Sequence, residues 1–117
     1  MRLTVIFVIP GIGAGICYRL GEAGANIVMA DIDAEANSET AKELSKMGFK
    51  TISVPGDIRV ESYRDAVIDA AVKEFGGVDI LVNNAGCYPK TPFIEENEAH
   101  IDQVFDLNVK EQMFTVL

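Results

Sequence analysis

The sequence predicts an α/β fold in which helices cover both faces of a parallel sheet. Short apolar runs alternate four times with segments whose apolar residues recur at helical spacing. Such alternation joins parallel strands by helical crossovers and so produces a doubly wound sheet. The chain has 117 residues, of which 49% are hydrophobic and 24% are charged, and this suits one domain over residues 1–117.

Four strands are predicted from short runs rich in apolar or β-branched residues. These runs cover residues 3–9, 26–30, 50–54 and 78–82. In the third run Thr51 and Ser53 alternate with Ile52 and Val54, which indicates an edge strand with one wetter face. The fourth run is apolar on both faces and is typical of an interior strand, so a missing neighbour would leave an apolar edge open to pairing.

The helices are predicted from apolar residues spaced three or four apart. The residues expected on the inner faces are Ile12, Ile16 and Leu20 in the first helix; Ala41, Leu44 and Met47 in the second; Tyr63, Val67, Ala71 and Phe75 in the third; and Ile101, Val104 and Phe105 in the fourth, which begins near Glu96. Asp33 is the predicted N-terminal cap of the second helix. Gly24, Gly48 and the pair Gly76-Gly77 are expected to end the first three helices.

Charge and cysteine content narrow the possible functions. A net charge of −8 disfavours binding to nucleic acid, because most of the surface would repel phosphates. Cys17 and Cys87 form neither a disulfide framework nor a metal-ligand cluster, so we expect a reducing cytoplasm, no metal and two thiols beside a core.

The alternative is an exported protein, since an apolar run follows Met1 and Arg2 as in a signal peptide. Pro10 and three glycines interrupt that run, which is shorter than the ~20 residues needed to span a membrane.

A glycine-rich turn follows the first strand. Gly11, Gly13 and Gly15 lead directly into the first helix, and Ile12 and Ala14 lie between them. Glycines allow positive φ and let a phosphate approach free backbone N–H groups at a helix N-terminus. Many strand–helix turns contain glycine for packing alone, so this motif by itself leaves both interpretations open.

An acidic residue, Asp31, follows the second strand and lies 18 residues after Gly13. This is close to the ~20 residues at which a carboxylate meets the ribose hydroxyls in dinucleotide sites. A carboxylate there would repel a 2′-phosphate, and the next residue is Ile32 and not an arginine, so the sequence favours NAD over NADP. The alternative is that Asp31 is a solvated residue at a helix entry.

Polar residues also follow the third and fourth strands. Asp57 is placed either to meet an adenine edge or to form a turn after Pro55 and Gly56. The tandem amides Asn83 and Asn84 are expected at a buried strand end, where each needs a hydrogen-bonding partner. In open parallel sheets ligands bind at the carboxyl ends of the strands, so these signals together predict a dinucleotide site with a Rossmann-like fold.

These motifs resemble, in order, those of the short-chain dehydrogenase/reductase family, and the resemblance runs from about Val5 to the last residue. The matching segments are Gly11-Ile12-Gly13, Ala30-Asp31-Ile32, Asp57-Ile58, Asn83-Asn84-Ala85-Gly86 and Asn108-Val109-Lys110. The resemblance implies an NAD(H)-dependent oxidoreductase that acts on a small alcohol or carbonyl substrate. It also implies that Asn108 is the asparagine of a catalytic proton relay. The residues that it assigns to the cofactor are Gly11, Ile12, Gly13, Asp31, Ile32, Asp57, Ile58, Asn83, Asn84, Ala85 and Gly86. The alternative for Asn108, as a polar residue on an inward helix face, is that it stabilises a local helix kink.

Two features depart from the family pattern. Ile6 and Phe7 stand where the glycine motif of the family begins with Thr and Gly. Members are also about twice as long, and their catalytic Ser and Tyr-x-x-x-Lys follow the Asn helix. None of Tyr18, Tyr63 and Tyr88 has a lysine four residues later. We therefore expect half of a Rossmann-like fold, truncated after the fourth strand and helix. This half should bind NAD better than it catalyses a reaction. It should also self-associate, or bind a partner, at the open edge of the fourth strand.

Two other functions stay open at this point. One is a nucleotide-binding or interaction module that has kept the fold without the chemistry. The other is an S-adenosylmethionine methyltransferase, because such enzymes also bind their cofactor with a glycine-rich turn and an acidic residue after the second strand. Against the methyltransferase, Ile9 stands where such sites usually have an acidic residue, and the Asn-Asn-Ala-Gly run would have no role.

Overall fold

The computed structural model describes residues 3–8, 12–87, 90–111 and 113, and for residues 5–8 the backbone only. The candidate Gly11 lies outside the described residues. The regular elements are β1 (Thr4–Val8), α1 (Ile12–Glu22), β2 (Asn26–Asp31), α2 (Ala34–Lys46), β3 (Thr51–Pro55), α3 (Glu61–Phe75), β4 (Ile80–Val82) and α4 (Glu98–Phe105). A 3₁₀ turn at Phe93–Glu95 precedes α4, and a π-helical turn at Asp106–Lys110 follows it.

The four strands form one parallel sheet in the order β3-β2-β1-β4. β3 is therefore an edge strand, as its alternating pattern predicts. β4 lies beside β1 at the other end of the described sheet, and its outer edge has no paired strand within the described ranges. Strand order reverses between β1 and β4, which is the crevice where open α/β sheets bind ligands. The predicted doubly wound, Rossmann-like class is confirmed.

Both faces of the sheet are covered, and β2 shows why. The side chains from Ile27 to Ala30 alternate between two clusters and are completely buried. Ile27 and Met29 pack against α1 and α2, whereas Val28 and Ala30 pack against α3 and the segments that follow β3 and β4. A strand buried on both faces needs a continuous apolar run, and β2 supplies one from Ile27 to Ala30.

The helix ends follow the local chemistry that the sequence predicts. The Asp33 side chain accepts a hydrogen bond of 3.0 Å from the Ala36 backbone N–H and caps α2. Gly48 and Gly76 have φ of 88° and 87° after α2 and α3, a conformation that side chains with a Cβ rarely adopt. Gly24, with φ of 92°, follows α1 in the same way.

Two predicted helix faces are wrong in detail. The buried residues of α1 are Gly13, Cys17 and Gly21, while Ile12 is 78% exposed, so the packed face is centred one residue later than predicted. Ile16 and Leu20 still contact the core from the side of that face. Small residues lie at its centre because α1 packs closely there: a Cβ on Gly21 would lie 2.5 Å from the Phe49 ring.

In α2 the predicted inner residues Ala41 and Leu44 are buried, but Met47 is 56% exposed. Met47 is the C-terminal cap residue, and the chain turns at Gly48 before the Met47 side chain can reach the core. The α3 stripe is confirmed, since Val67 and Ala71 are buried and both Tyr63 and Phe75 pack beside them.

The fourth helix differs most from its prediction. It begins at Glu98, after the Asn97 side chain has capped it by accepting from the His100 N–H at 3.1 Å. Ile101 and Phe105 are 49% and 60% exposed, so the expected inward face is wrong for both. The π-helical turn then changes the phase of the helix, and Leu107 is the residue that packs against the α3 side of the core.

The strand boundaries also shift. β2 and β3 each end one residue later than predicted, so Asp31 is the last residue of its strand, and β4 starts at Ile80. Asp79 holds the start of β4 against β1: its carboxylate accepts from the Thr4 N–H at 2.7 Å, and its own N–H donates to the Thr4 carbonyl at 2.9 Å. None of the helices in the described part of the chain has the length and apolar character needed to cross a membrane.

Candidate functional site

A cleft of about 210 Å³ opens at the carboxyl edge of the sheet. Strand register places Asp31 opposite Pro55, and the ends of β1 and β4 lie beside them. The cleft brings together candidates from three segments that are far apart in sequence: Asp31, Ile32, Asp57, Ile58, Ala85 and Gly86. Gln103 and Leu107 close it from the fourth helical segment.

The other candidates lie outside this lining. Ile12 and Gly13 lie in the first turn of α1, and Gly13 is buried there. Asn83 and Asn84 follow β4 at the same edge of the sheet. Asn84 is partly buried, but Asn83 is exposed, so the expectation of two buried amides is wrong for Asn83.

Asp31 is held by the turn that follows it. The residue is 4% exposed, and its Oδ1 accepts from the Asp33 N–H at 3.0 Å. The Asp31 carbonyl accepts from the Gly56 N–H at 2.8 Å, which fixes the β2 end against the β3 end. Burial is the main cause that raises the pKa of Asp31; the Asp33 charge adds to it, and backbone N–H groups of Asp33 and Ile32 oppose it. The site thus holds a partly dehydrated carboxyl group beside the cleft.

Asp57 forms a closed pair with Arg59, which the sequence reasoning missed. Asp57 Oδ1 accepts from the Arg59 N–H and from Nε, both at 2.9 Å. Its Oδ2 accepts from Nε at 3.0 Å and from Nη2 at 2.6 Å. The Arg59 guanidinium lowers the pKa of Asp57, so this carboxylate stays ionised. The Asp57 side chain therefore stabilises a turn after Pro55 and Gly56, which is one of its two predicted roles. It also lines the cleft.

Asn108 connects the fourth helical segment to the chain after β4. Its Oδ1 accepts from the Cys87 N–H at 2.8 Å, and its Nδ2 donates to the Cys87 carbonyl at 2.9 Å. Both ends of the amide are thus used on one backbone residue, directly after Gly86. Asn108 lies within the π-helical turn, but it bonds the neighbouring segment. The geometry makes Asn108 a residue that positions the wall of the cleft.

A buried ion pair crosses the same region. Arg64 on α3 donates from Nη1 to Glu111 Oε2 at 2.5 Å and to the Ile58 carbonyl at 2.9 Å. The two side chains are only 15% and 7% exposed. The partners are 47 residues apart, and no local pattern in the sequence predicts that they meet.

Tyr63 supports the β3 end of the cleft. Its hydroxyl donates to the Val54 carbonyl, and its ring lies so close to Gly56 that a Cβ there would be 2.3 Å away. Burial first, and then the Asp31 charge, raise the pKa of Tyr63 to about 12. This phenol is therefore a structural donor at neutral pH. Within the described ranges no group of three or more His, Cys, Asp or Glu side chains could hold a metal ion.

The two thiols are expected to differ in reactivity. Cys17 is completely buried, and burial raises its pKa to about 12, whereas Cys87, which follows Gly86 in sequence, is only half-buried. Because the thiolate is the reactive form, a thiol reagent at pH 8 should label Cys87 in the folded protein and Cys17 only in denaturant. Mass spectrometry of labelled peptides checks this. Native labelling of Cys17 at a comparable rate would contradict the packing of α1.

Comparisons with known proteins agree with this architecture. A family model described as short chain dehydrogenase matches residues 5–116. A diacetyl reductase, (S)-acetoin forming, from Staphylococcus epidermidis is 35% identical over 106 residues, which are 91% of this chain and 41% of that protein. The 2-dehydro-3-deoxy-D-gluconate 5-dehydrogenase of Escherichia coli is 36% identical over 104 residues, 89% of this chain and 40% of that protein.

Solved structures show the same relationship. The crystal structure of a short chain dehydrogenase from Mycobacterium smegmatis superposes with a TM-score of 0.91 at 27% identity and covers 97% of this chain and 49% of that one. The chain thus spans about 40% of the length of these curated relatives and about half of the solved chain. The family match over nearly all of the sequence, together with the parallel sheet and its strand-end cleft, shows that the chain belongs to the short-chain dehydrogenase family.

Proposed function

We propose that this chain is the NAD(H)-binding part of an oxidoreductase that interconverts a small alcohol and its carbonyl compound. The observation that carries the proposal is the cleft at the strand ends, with the Asp31 carboxyl group at its edge. The names of the relatives, a diacetyl reductase and a sugar-acid dehydrogenase, describe redox chemistry on small carbonyl or hydroxyl compounds.

The residues present fit the adenosine end of a nicotinamide dinucleotide. Asp31 would accept hydrogen bonds from the ribose hydroxyls, since a buried carboxylate needs donors once it is ionised. Ile32 and Ile58 offer apolar surface for the base, and Ala85 and Gly86 allow close approach to the backbone. The N–H groups at the start of α1 would hold phosphate oxygens, as helix N-termini do. When bound, the nicotinamide ring supplies the carbon that accepts or donates hydride.

Charge favours NAD over NADP in this proposal. A 2′-phosphate on the ribose would lie against the Asp31 carboxylate, and like charges that are brought together cost several kcal/mol. Ile32 follows and carries no charge to compensate. The charge of Arg59, the cation among the described lining residues, is offset by the carboxylate of Asp57. A net charge of −8 adds to the repulsion of an extra phosphate.

The chain's own residues bind and position, and we assign no general acid among them. Tyr63 is committed to the Val54 carbonyl. Asn108 holds the Cys87 backbone beside the proposed site, and its part in a proton relay is a proposal that follows from the family resemblance. A nucleotide-binding module without catalysis is the second candidate, since both Tyr63 and Asn108 are engaged in hydrogen bonds with backbone groups.

We also propose a cytoplasmic location and a homo-oligomer or other partner that covers the outer edge of β4. That edge carries unpaired backbone groups within the described residues, and such edges readily pair with another strand. A small alcohol or carbonyl compound is the substrate class that this proposal assigns, and no nucleic acid or membrane partner is needed.

Ligand-dependent melting tests the proposed cofactor. A ligand at 100 times its Kd stabilises the folded state by about 2.7 kcal/mol, which shifts the melting temperature by several degrees. We expect NAD to raise the melting temperature more than NADP and S-adenosylmethionine to leave it unchanged. Stabilisation by S-adenosylmethionine alone, or a larger effect of NADP than of NAD, would overturn the proposal. Oxidation of simple alcohols by the purified chain with NAD would exclude the non-catalytic candidate.

A further inference from the structure

The Asp57–Arg59 pair has a consequence for the base that the cleft accepts. An ionised carboxylate has about four acceptor positions. Three protons of Arg59 engage Asp57: the backbone N–H binds Oδ1, Nη2 binds Oδ2, and the single Nε proton is shared between both oxygens. A further donor would therefore compete with this pair for Asp57.

Arg59 places unused donors in the same cleft. A guanidinium has five N–H donors, and the bonds to Asp57 use Nε and Nη2. The side chain is 42% exposed, and no hydrogen bond from Nη1 is found in the described part of the chain. Asp57 raises the pKa of Arg59, and the charged guanidinium lines the cleft. There it lies beside Ala85 and Gly86.

We propose that Arg59 is a specificity residue that lets the cleft accept a 6-oxopurine, such as hypoxanthine, as well as adenine. This inference rests on the proposed function, because it assumes that a dinucleotide places its base beside Asp57. A carboxylate alone offers only acceptors and selects the 6-amino group of adenine. Guanidinium donors instead match the O6 and N7 acceptors of an oxopurine edge, as arginine does with guanine. Because Arg59 engages the Asp57 carboxylate, that carboxylate no longer selects adenine over a 6-oxopurine.

Nicotinamide hypoxanthine dinucleotide is the probe, because it differs from NAD only at the base. We expect the protein to bind it with a Kd within about threefold of that for NAD, measured by titration calorimetry. In Arg59→Met the Asp57 carboxylate is released, and the donors are lost. The variant should bind NAD at least as tightly as the parent protein, because Asp57 is then available to the 6-amino group, and it should bind the hypoxanthine dinucleotide about tenfold more weakly, as expected for the loss of one charged hydrogen bond.

The control is Arg19→Met, which removes an exposed arginine paired with Glu22 on α1. It should leave the ratio of the two Kd values unchanged. Arg59→Gln, a second variant without the charge, should change the ratio in the same direction as Arg59→Met, and melting curves show that each variant is folded.

Three results would overturn the inference, and they have different meanings. If the protein binds NAD but prefers it more than tenfold, and Arg59→Met leaves that ratio unchanged, Arg59 does not read the base edge. If Arg59→Met weakens both dinucleotides equally, the guanidinium packs on the ring face instead. If neither dinucleotide binds, the proposed function fails together with this inference.

Discussion

Replacement of Asp31 by alanine is expected to weaken NAD binding by about 100-fold. Hydrogen bonds to a charged group contribute about 1.5–3 kcal/mol each, so the loss of two ribose contacts readily accounts for that factor. Asp31 is 4% exposed at the end of β2, where water could replace the lost acceptor only poorly. Titration calorimetry of both proteins with NAD measures the change.

The matched control is Asp33→Asn, which removes the same charge two residues away. Asn can still cap α2, because its side-chain oxygen is able to accept from the Ala36 N–H. This variant should bind NAD within about twofold of the parent protein, as expected for a screened surface charge. Asp31→Ala should also lose its preference for NAD over NADP. Equal losses in the two variants would show that general charge, and not the position of Asp31, determines binding.

The raised pKa of Asp31 gives this prediction a pH signature. The protonated carboxyl is a weak acceptor, so NAD affinity should fall as the pH is lowered through the raised pKa of Asp31. In the ligand-free protein the ionised carboxyl group has the opposite effect, because it destabilises the folded state. A carboxyl group whose pKa is raised on folding favours the folded state below its unfolded pKa, and this contribution is lost as the pH rises through the folded pKa. Asp31→Asn should therefore stabilise the free protein at neutral pH while it weakens NAD binding.

Replacement of Glu111 by leucine is expected to lower the free energy of unfolding by roughly 3–5 kcal/mol. The Arg64 guanidinium is only 15% exposed, and without Glu111 its charge would stay in a poorly solvated place. Removal of one member of a buried ion pair is costly for this reason, even where the pair itself adds little. Urea denaturation followed by circular dichroism measures the difference.

A double replacement separates the two contributions. Arg64→Met combined with Glu111→Leu should recover most of the stability that Glu111→Leu loses, because no charge is then left buried. The exposed pair Lys110–Asp106 provides the comparison: Asp106→Asn should change the free energy of unfolding by less than about 1 kcal/mol. If the double variant is less stable than Glu111→Leu, the buried charge of Arg64 is not the cause of the destabilisation. The packing contacts of the two side chains then stabilise the protein more than their opposite charges do.

Features that depend on neighbouring residues could be predicted from the sequence. The caps at Asp33 and Gly48 and the alternation of strands and helices are set by local hydrogen bonding and periodicity. The strand-end rule then placed Asp31 and Asp57 at one edge without any knowledge of contacts. The resemblance to the short-chain dehydrogenases is confirmed by the family match, whereas the cofactor role of each residue stays a prediction.

Features that depend on tertiary contacts could not be predicted in the same way. The buried face of α1 shifted by one residue because small residues let the helix approach Phe49. The pair Arg64–Glu111 is invisible in the sequence, since charged residues are usually solvated and nothing local marks a partner 47 residues away. Arg59 was missed because an arginine two residues after an aspartate looks like an ordinary surface turn.

The π-helical turn at Asp106–Lys110 has a geometric consequence for Glu111. A π turn takes up one residue more than an α turn, so every side chain after it is rotated by about 100° around the helix axis compared with an uninterrupted α-helix. Shortening this turn by a single residue would barely alter the composition of the chain. It would nevertheless swing the carboxylate of Glu111 by about 100° around the helix axis, away from Arg64 on α3, and so break the ion pair that joins the end of the chain to that helix.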